Sequence, residues 1–251
     1  MAHAIRFRRK YQSEFSKVFH SLCERQHDWQ VWADFITLSA IEIACSVDRT
    51  SSDRKSRMTE YKSIMERYCP EERQKFAKLF ILTVNALETN PEQDFLGEIF
   101  MGLNLGNHWK GQFFTPYSIC QMIASIQTDV AQKNVQSNGW TSIFDPACGA
   151  GALLVALRNE AVRKQISPDS LLFVAQDIDR VAAMMCYIQI SLLGCAGYVV
   201  VGDSLSNPVA GESPLLPVQN PGQEFWFTPI FFDPIWKGRR DIAQLAKLFN
   251  S

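Results

Sequence analysis

The stretch that decides the fold is Ile143-Phe144-Asp145-Pro146-Ala147-Cys148-Gly149-Ala150-Gly151, followed by the apolar run 152–157. An apolar strand end leads into an acid and a proline, then into a tight turn of small residues and a helical run. Gly149 and Gly151 have no Cβ, so the backbone can take positive φ and approach a ligand closely. The pattern predicts a strand, a glycine turn and a helix. In open α/β sheets such a turn lies at the carboxyl end of a strand, where ligands bind.

The composition of this turn limits the ligands that it suits. It lacks G-x-G-x-x-G, and the chain has no G-x-x-x-x-G-K-[ST], so neither a dinucleotide fingerprint nor a phosphate-cradling loop is indicated. Asp145, directly before the turn, would repel an anion but suits a ligand with a positive group. The sulfonium or amino group of S-adenosylmethionine meets that requirement. A strand-to-helix turn without any ligand stays open as the alternative.

Acids also follow the later strands. Three more apolar runs of strand length each end at an acid: Leu171 to Ala175 before Asp177, Tyr198 to Val201 before Asp203, and Phe227 to Phe232 before Asp233. Helical runs at 152–164 and 180–193 separate the first three strands, so we expect a parallel sheet with right-handed crossovers. Parallel strands would place these three acids and Asp145 along one rim of the sheet. One such acid is commonly a helix cap, whereas four in succession indicate a shared site.

The first 90 residues show helical rather than strand periodicity. Phe15, Val18, Phe19 and Leu22 repeat at helical spacing, and further helices are predicted at 29–47, 61–68 and 70–87, with a polar loop over 48–57. We therefore divide the chain into an all-helical N-terminal domain, residues 1–105, and an α/β domain, residues 106–251. In the second domain we expect a helix capped by Thr115 with Pro116 in its first turn, a polar loop at 132–138 and a last helix at 241–249.

Composition excludes several classes of protein. The 251 residues are 47% apolar with a formal net charge of -1, so any contact with nucleic acid must come from local basic patches. The seven cysteines are odd in number and form no C-x-x-C pair, which favours reduced thiols over a disulfide framework or a zinc site. The four histidines have no metal-ligand spacing. We expect a cytoplasmic protein without a signal peptide, a membrane segment or a metal.

Five motifs, taken in order, resemble the motif series of N6-adenine DNA methyltransferases, and most closely the modification subunits of type I restriction systems. They are Gln112-Phe113-Phe114-Thr115-Pro116, Asp145 to Gly151, Gln176-Asp177-Ile178-Asp179, Gly202-Asp203-Ser204-Leu205 and Asp233-Pro234-Ile235-Trp236. The resemblance covers roughly residues 105–240. It implies a Rossmann-like S-adenosylmethionine-binding sheet, incomplete at the C-terminus, and site-specific methyl transfer to the N6 amine of adenine in duplex DNA. A second protein subunit could supply sequence recognition.

The same resemblance implies cofactor contacts along the chain. Phe114 and Thr115 would hold the methionine end, and Asp145 with the turn of Pro146, Ala147, Gly149 and Gly151 would lie along the methionine and ribose. Asp177 would accept hydrogen bonds from the ribose hydroxyls, as an acid after the second strand does in nucleotide-binding sheets. The remaining contacts would be to adenine: Ile178 would pack on the ring, and Asp203, with Ser204 beside it, would accept from the exocyclic amine.

The last motif would act on the target base. Asp233 and a backbone carbonyl near Pro234 would accept hydrogen bonds from the target amine, and Trp236 would stack on a base flipped out of the duplex. Ile235 replaces the second proline of the family loop, and only residues 237–251 follow, fewer than the seven-stranded sheet of the family needs. Two alternatives therefore stay open: a catalytically degenerate subunit that binds cofactor, DNA or a partner without turnover, and a methyltransferase that acts on protein or RNA.

Overall fold

The computed structural model describes residues 9–47, 53–105 and 114–250. Within these ranges the chain folds in the order α1 (Lys10–His20), α2 (Asp28–Val47), α3 (Arg54–Glu66), α4 (Pro70–Thr89), α5 (Phe95–Gly102), α6 (Tyr117–Asn138), β1 (Thr141–Asp145), α7 (Ala152–Arg163), β2 (Leu171–Asp177), α8 (Arg180–Leu192), β3 (Ala196–Val201), β4 (Glu224–Phe227) and α9 (Pro234–Asn250). Short 3-10 turns at Pro168–Ser170 and Pro229–Phe232 precede β2 and α9.

The helices α1–α5 form a layer around α2, which is apolar on most of its circumference and therefore buried on most sides. Its one buried acid, Asp34, accepts hydrogen bonds from Arg67 at 2.7 Å and from the Tyr68 hydroxyl at 2.6 Å. By length and composition alone α2 could cross a membrane, but most of its apolar window is buried against neighbouring helices. These contacts are those of a core helix.

The sheet has the order β1-β2-β3-β4, with β1, β2 and β3 parallel and β4 antiparallel to β3. The parallel part is a β-α-β-α-β unit, as predicted, and the α/β class with a Rossmann-like, incomplete sheet is confirmed. Side chains alternate between two apolar layers because strand residues point to opposite faces. Phe173, Ala175 and Val199 face the layer that contains α7 and α8, whereas Val174 and Tyr198 face the layer that contains Trp236.

The predicted fourth strand is wrong in position and direction. The structure places the strand at 224–227 and turns Pro229–Phe232 into a 3-10 helix, because Pro229 lacks an N–H and its φ is fixed. Thr228 fixes the reversal: its N–H donates to the Gly197 carbonyl at 2.9 Å, and its hydroxyl donates to the Cys195 carbonyl at 2.8 Å. The chain therefore leaves β4 at the amino-terminal end of β3.

Three local predictions also need correction. The polar segment 132–138 continues α6, whose polar side chains face solvent, and Gly139 ends the helix with φ +77°. The N-cap of α6 is Pro116 rather than Thr115, so the helix begins at Tyr117. Residues 54–57 are the first turn of α3, whereas residues 48–52 of the same predicted loop lie outside the described ranges.

One apolar core runs through both predicted domains. It includes Phe15 and Trp32 of the N-terminal helices together with Leu154 of α7, Met185 of α8 and Phe173 of β2. Helices α2, α4 and α5 all pack on α8. The boundary at residues 105 and 106 stays a prediction, and the N-terminal helices serve as one cover of the sheet.

Candidate functional site

A cleft of about 260 Å³ opens at the carboxyl end of the parallel strands. It is built from the end of β1, the turn that follows it, the last residue of β2 and the start of α6. The lining residues are Phe114, Thr115, Cys120, Ile123, Asp145, Ala147, Cys148, Gly149, Ala150, Ala152, Leu153 and Asp177. Among these described residues there are two carboxylates and no Lys or Arg.

The two carboxylates end neighbouring strands. Asp177 is buried; its Oδ2 accepts from the Gly149 N–H at 2.8 Å, and its Oδ1 accepts from the Asp179 N–H at 2.8 Å. Asp145 is half-buried and accepts from the Ala147 N–H at 3.1 Å. Burial raises the pKa of both carboxyls above their usual values, although these backbone hydrogen bonds oppose the rise. The Asp177 charge also contributes to the raised pKa of Asp145. A cationic or hydroxyl-bearing ligand would reduce the cost of burying these two negative charges, whereas an anion would increase it.

The glycine turn fits tightly between the cleft and α8. Gly149 has φ +52°, and a Cβ added there would lie 3.0 Å from the Phe114 ring, so a side chain would press on the cleft. Gly151 has φ +92°, and an added Cβ would lie 2.8 Å from the Cys186 Sγ. The Cys148 N–H donates to the Gln176 carbonyl at 3.0 Å, which ties the turn to the end of β2.

Other predicted cofactor residues lie near this edge but outside the cleft lining. Pro146 is exposed beside Ala147, and Ile178 is 72% exposed directly after β2. Asp203 and Ser204 follow β3, and the Gly202 N–H donates to the Asp177 carbonyl at 2.9 Å. Asp203 accepts from the Ser206 hydroxyl and the Leu205 N–H, and these bonds lower the pKa of its carboxyl.

The motif predicted to act on the target base lies elsewhere. Trp236 is fully buried against Trp140, which precedes β1, with ring centroids 6.0 Å apart. Arg239 donates to the carbonyl of Asp169, which precedes β2. Both partners lie at the amino-terminal ends of the parallel strands, about 15–20 Å from their carboxyl ends by strand rise. The prediction that Asp233 shares a rim with Asp145 and Asp177 is therefore wrong, because β4 is antiparallel.

In this position the motif residues have structural contacts. The Asp233 Oδ1 accepts from the Ile235 N–H at 3.0 Å at the start of α9, and exposed Pro234 is the first residue of that helix. Two arginines beside the loop, Arg239 and Arg240, also have structural contacts. Arg239 stacks on the Trp236 ring at 4.4 Å, and Arg240 stacks on the Phe231 ring at 4.1 Å.

Sequence reasoning missed several lining residues. Cys120 and Ile123 reach the cleft from α6 at helical spacing, and Leu153 reaches it from the first turn of α7. The sequence did contain a signal for them: Cys120 and Ile123 follow Thr115-Pro116 at helical spacing, and Leu153 follows Gly151 in the first turn of the next helix. Gln112 and Phe113, the first part of the earliest motif, lie outside the described residues.

The fold and the cleft define an α/β protein with an open cleft at the carboxyl edge of its parallel strands. The model of the N-6 DNA methylase family matches residues 93–222, just over half of the chain. The chain therefore belongs to the N-6 DNA methylase family, in agreement with the resemblance carried by its motifs.

Two individual proteins are similar to parts of this chain. A type I restriction enzyme MjaIX methylase subunit from Methanocaldococcus jannaschii is 32% identical over 94 residues, which is 38% of this chain. The aligned part is 15% of the length of that curated relative. A class I S-adenosylmethionine-dependent methyltransferase structure from Listeria monocytogenes aligns over 86% of this chain and 66% of its own, with 16% identity and a TM-score of 0.41.

Proposed function

We propose that this chain is an S-adenosylmethionine-dependent methyltransferase component that acts on the N6 amine of adenine in DNA, with its cofactor in the described cleft. The observation that supports the cofactor is the pair Asp145 and Asp177, two desolvated carboxylates beside a glycine turn in a lining without described cations. Membership of the N-6 DNA methylase family supports the substrate. A second subunit for sequence recognition is part of the proposal.

The residues present fit this cofactor. Asp145 would face the positively charged methionine end, and Phe114 and Thr115 would close over it from the start of α6. Each Asp177 oxygen accepts one backbone N–H and keeps acceptor capacity for a ribose hydroxyl. Exposed Ile178 offers an apolar surface for the adenine ring. Asp203, with Ser204 beside it, would accept from the adenine amine at the same edge.

When bound, the cofactor supplies an electrophilic methyl carbon on a sulfonium, and the protein contributes position and electrostatics. Asp145 and Asp177 would orient that group and stabilise its charge, and the apolar side chains of Leu153 and Ile123, which line the cleft, would shield it from water. Asp233, Pro234 and Trp236 stay assigned to the target base as a prediction. In the described arrangement they lie at the opposite edge of the sheet.

That arrangement is the observation behind a second candidate, a cofactor-binding subunit without turnover of its own. Trp236 has no exposed ring surface to offer a base, and Asp233 is engaged at the start of α9. In this candidate the chain presents bound cofactor, or binds DNA or a partner, and the target amine is handled by other residues.

Calorimetric titration with S-adenosylhomocysteine tests the cofactor site. We expect Asp177→Ala to weaken binding roughly 10- to 100-fold, because hydrogen bonds to a charged group contribute about 1.5–3 kcal/mol. The matched control is Asp169→Ala, which removes an exposed carboxylate at the other edge of the sheet and keeps the backbone carbonyl that Arg239 uses. Equal affinity for the two variants would contradict the proposed site.

Methyl incorporation into duplex DNA from labelled cofactor separates the two candidates. The methyltransferase proposal expects incorporation at adenine that Asp233→Ala abolishes. Cofactor binding without incorporation into DNA supports the second candidate. Incorporation into RNA or protein but not into DNA would instead show that the chain is a methyltransferase for RNA or protein.

A further inference from the structure

Gln189 is a fully buried amide in the middle of α8, on a helix whose other core-facing residues are mostly apolar. Its Nε2 donates to the Asp94 Oδ1 at 2.7 Å and to the Ala150 carbonyl at 2.8 Å. Its Oε1 accepts from the Leu96 N–H at 3.2 Å. The side chain thus joins three segments: the start of α5, helix α8 and the glycine turn of the cleft.

Burial of an amide is costly unless its hydrogen bonds are made. Both donors and the acceptor of Gln189 are engaged, so this position selects one orientation of the side chain. The bond to Ala150 matters most for the cleft, because Ala150 lies between Gly149 and Gly151, both with positive φ. A turn with two such glycines is intrinsically flexible and needs outside contacts to hold one shape.

Asp94 orients the Gln189 amide. It caps α5, where its Oδ1 also accepts from the Gly97 N–H at 3.0 Å, and Gly97 leaves no room for a side chain beside the carboxyl. An acceptor at this place fixes which end of the Gln189 amide points to Asp94. The same Nε2 must then present its second hydrogen to the Ala150 carbonyl.

We propose that Gln189, oriented by Asp94, is a positioning residue that sets the cofactor cleft by holding the Ala150 carbonyl. The inference depends on the proposed function for the identity of the ligand. What it adds is a buried hydrogen-bonded link between the glycine turn and the start of α5, one of the N-terminal helices. Gln189 does not line the cleft, so it acts through the turn rather than through contact with the ligand.

The first test compares Gln189→Met with wild type by titration with S-adenosylhomocysteine. Methionine keeps the length of the side chain and removes all three hydrogen bonds. We expect affinity to fall at least about 10-fold, since at 1.4 kcal/mol per tenfold change this equals roughly one lost hydrogen bond. The matched control is Thr228→Val, which removes buried hydrogen bonds to Cys195 and Gly197 at the other edge of the sheet. It should lower the melting temperature without changing affinity.

Hydrogen exchange of the unliganded protein gives a readout that needs no cofactor. Gln189→Met should speed exchange of the Cys148 and Gly151 amides, which donate to Gln176 and Cys148 in the intact turn, whereas Thr228→Val should not. If wild type binds no S-adenosylhomocysteine, the proposed function fails, and this exchange pattern still decides whether Gln189 holds the turn. Unchanged exchange of these amides would contradict the inference.

Discussion

At the scale of single residues, Gly151 is a position where both the backbone angle and the packing call for glycine. Its φ of +92° lies in the region that L residues rarely adopt, and a Cβ would also meet the Cys186 side chain at 2.8 Å and backbone at 3.1 Å. The glycine turn was predictable from sequence because this requirement is local. The bond from Gln189 to Ala150 was not, because nothing in α8 reveals which buried polar residue faces the turn.

Gly151→Ala should therefore destabilise the protein by about 2–4 kcal/mol, from the cost of a positive φ plus the displacement of Cys186. Gly139→Ala is the matched control: its φ is +77°, but nothing lies within 4 Å of the added Cβ. We expect it to cost about 1 kcal/mol. Urea denaturation of both variants measures the difference, and equal losses would show that packing at Gly151 is not restrictive.

Asp94 should make stability depend on pH. Complete burial raises the pKa of its carboxyl from 3.8 to about 6, although the Gln189 and Gly97 hydrogen bonds oppose the rise. The protonated form is favoured in the fold, so its stabilising effect is full below about pH 4 and is lost as pH rises through 6. Relative to Asp94→Asn, the unfolding free energy of wild type should fall by about 3 kcal/mol over this range. Parallel pH profiles would contradict this assignment.

At the scale of elements, two of the strands that sequence predicts well, β2 and β3, are buried on both faces. Runs such as 171–175 and 198–201 consist of apolar residues, many of them β-branched or aromatic. Because both faces of these strands are covered, no polar residues interrupt the apolar run. Strand β4 was misplaced because the run Phe227–Phe232 is also apolar and rich in aromatic residues. Whether that run forms a strand or a 3-10 helix depends on Pro229 and on the contacts of Thr228 with residues at the start of β3 that are distant in sequence. Local pattern cannot show that a strand will run antiparallel.

The position of α9 predicts how Trp236 behaves. Trp236→Ala should destabilise the protein by about 3–5 kcal/mol, because the side chain is fully buried in the layer with Trp140 and Tyr198. Binding of S-adenosylhomocysteine by the folded fraction should be unchanged, since the cleft lies at the other edge of the sheet. Titration and thermal denaturation of the same sample give both values. A large loss of affinity would mean that the motif reaches the cleft in solution.

At the scale of the whole molecule, the N-terminal helices and the sheet are tied by charge as well as by the core. Arg180 at the start of α8 binds Glu60 of α3 through both terminal nitrogens at 2.9 Å and binds Glu224 of β4 at 2.9 Å. The Arg57 guanidinium stacks on the Trp226 ring at 4.0 Å. The sequence predicts helices here, but their docking on α8 depends on contacts between residues far apart in the chain.

The continuous core predicts that the predicted domains unfold together. Differential scanning calorimetry of the full chain should show a single transition whose calorimetric and van't Hoff enthalpies agree. The reason is that one continuous apolar core joins α2 to α8. Arg180→Ala should lower the melting temperature by about 2–4 °C, as a partly exposed ion pair contributes only about 1 kcal/mol, and should leave one transition. Two transitions, or a calorimetric enthalpy well above the van't Hoff value, would instead establish independent units on either side of residues 105 and 106.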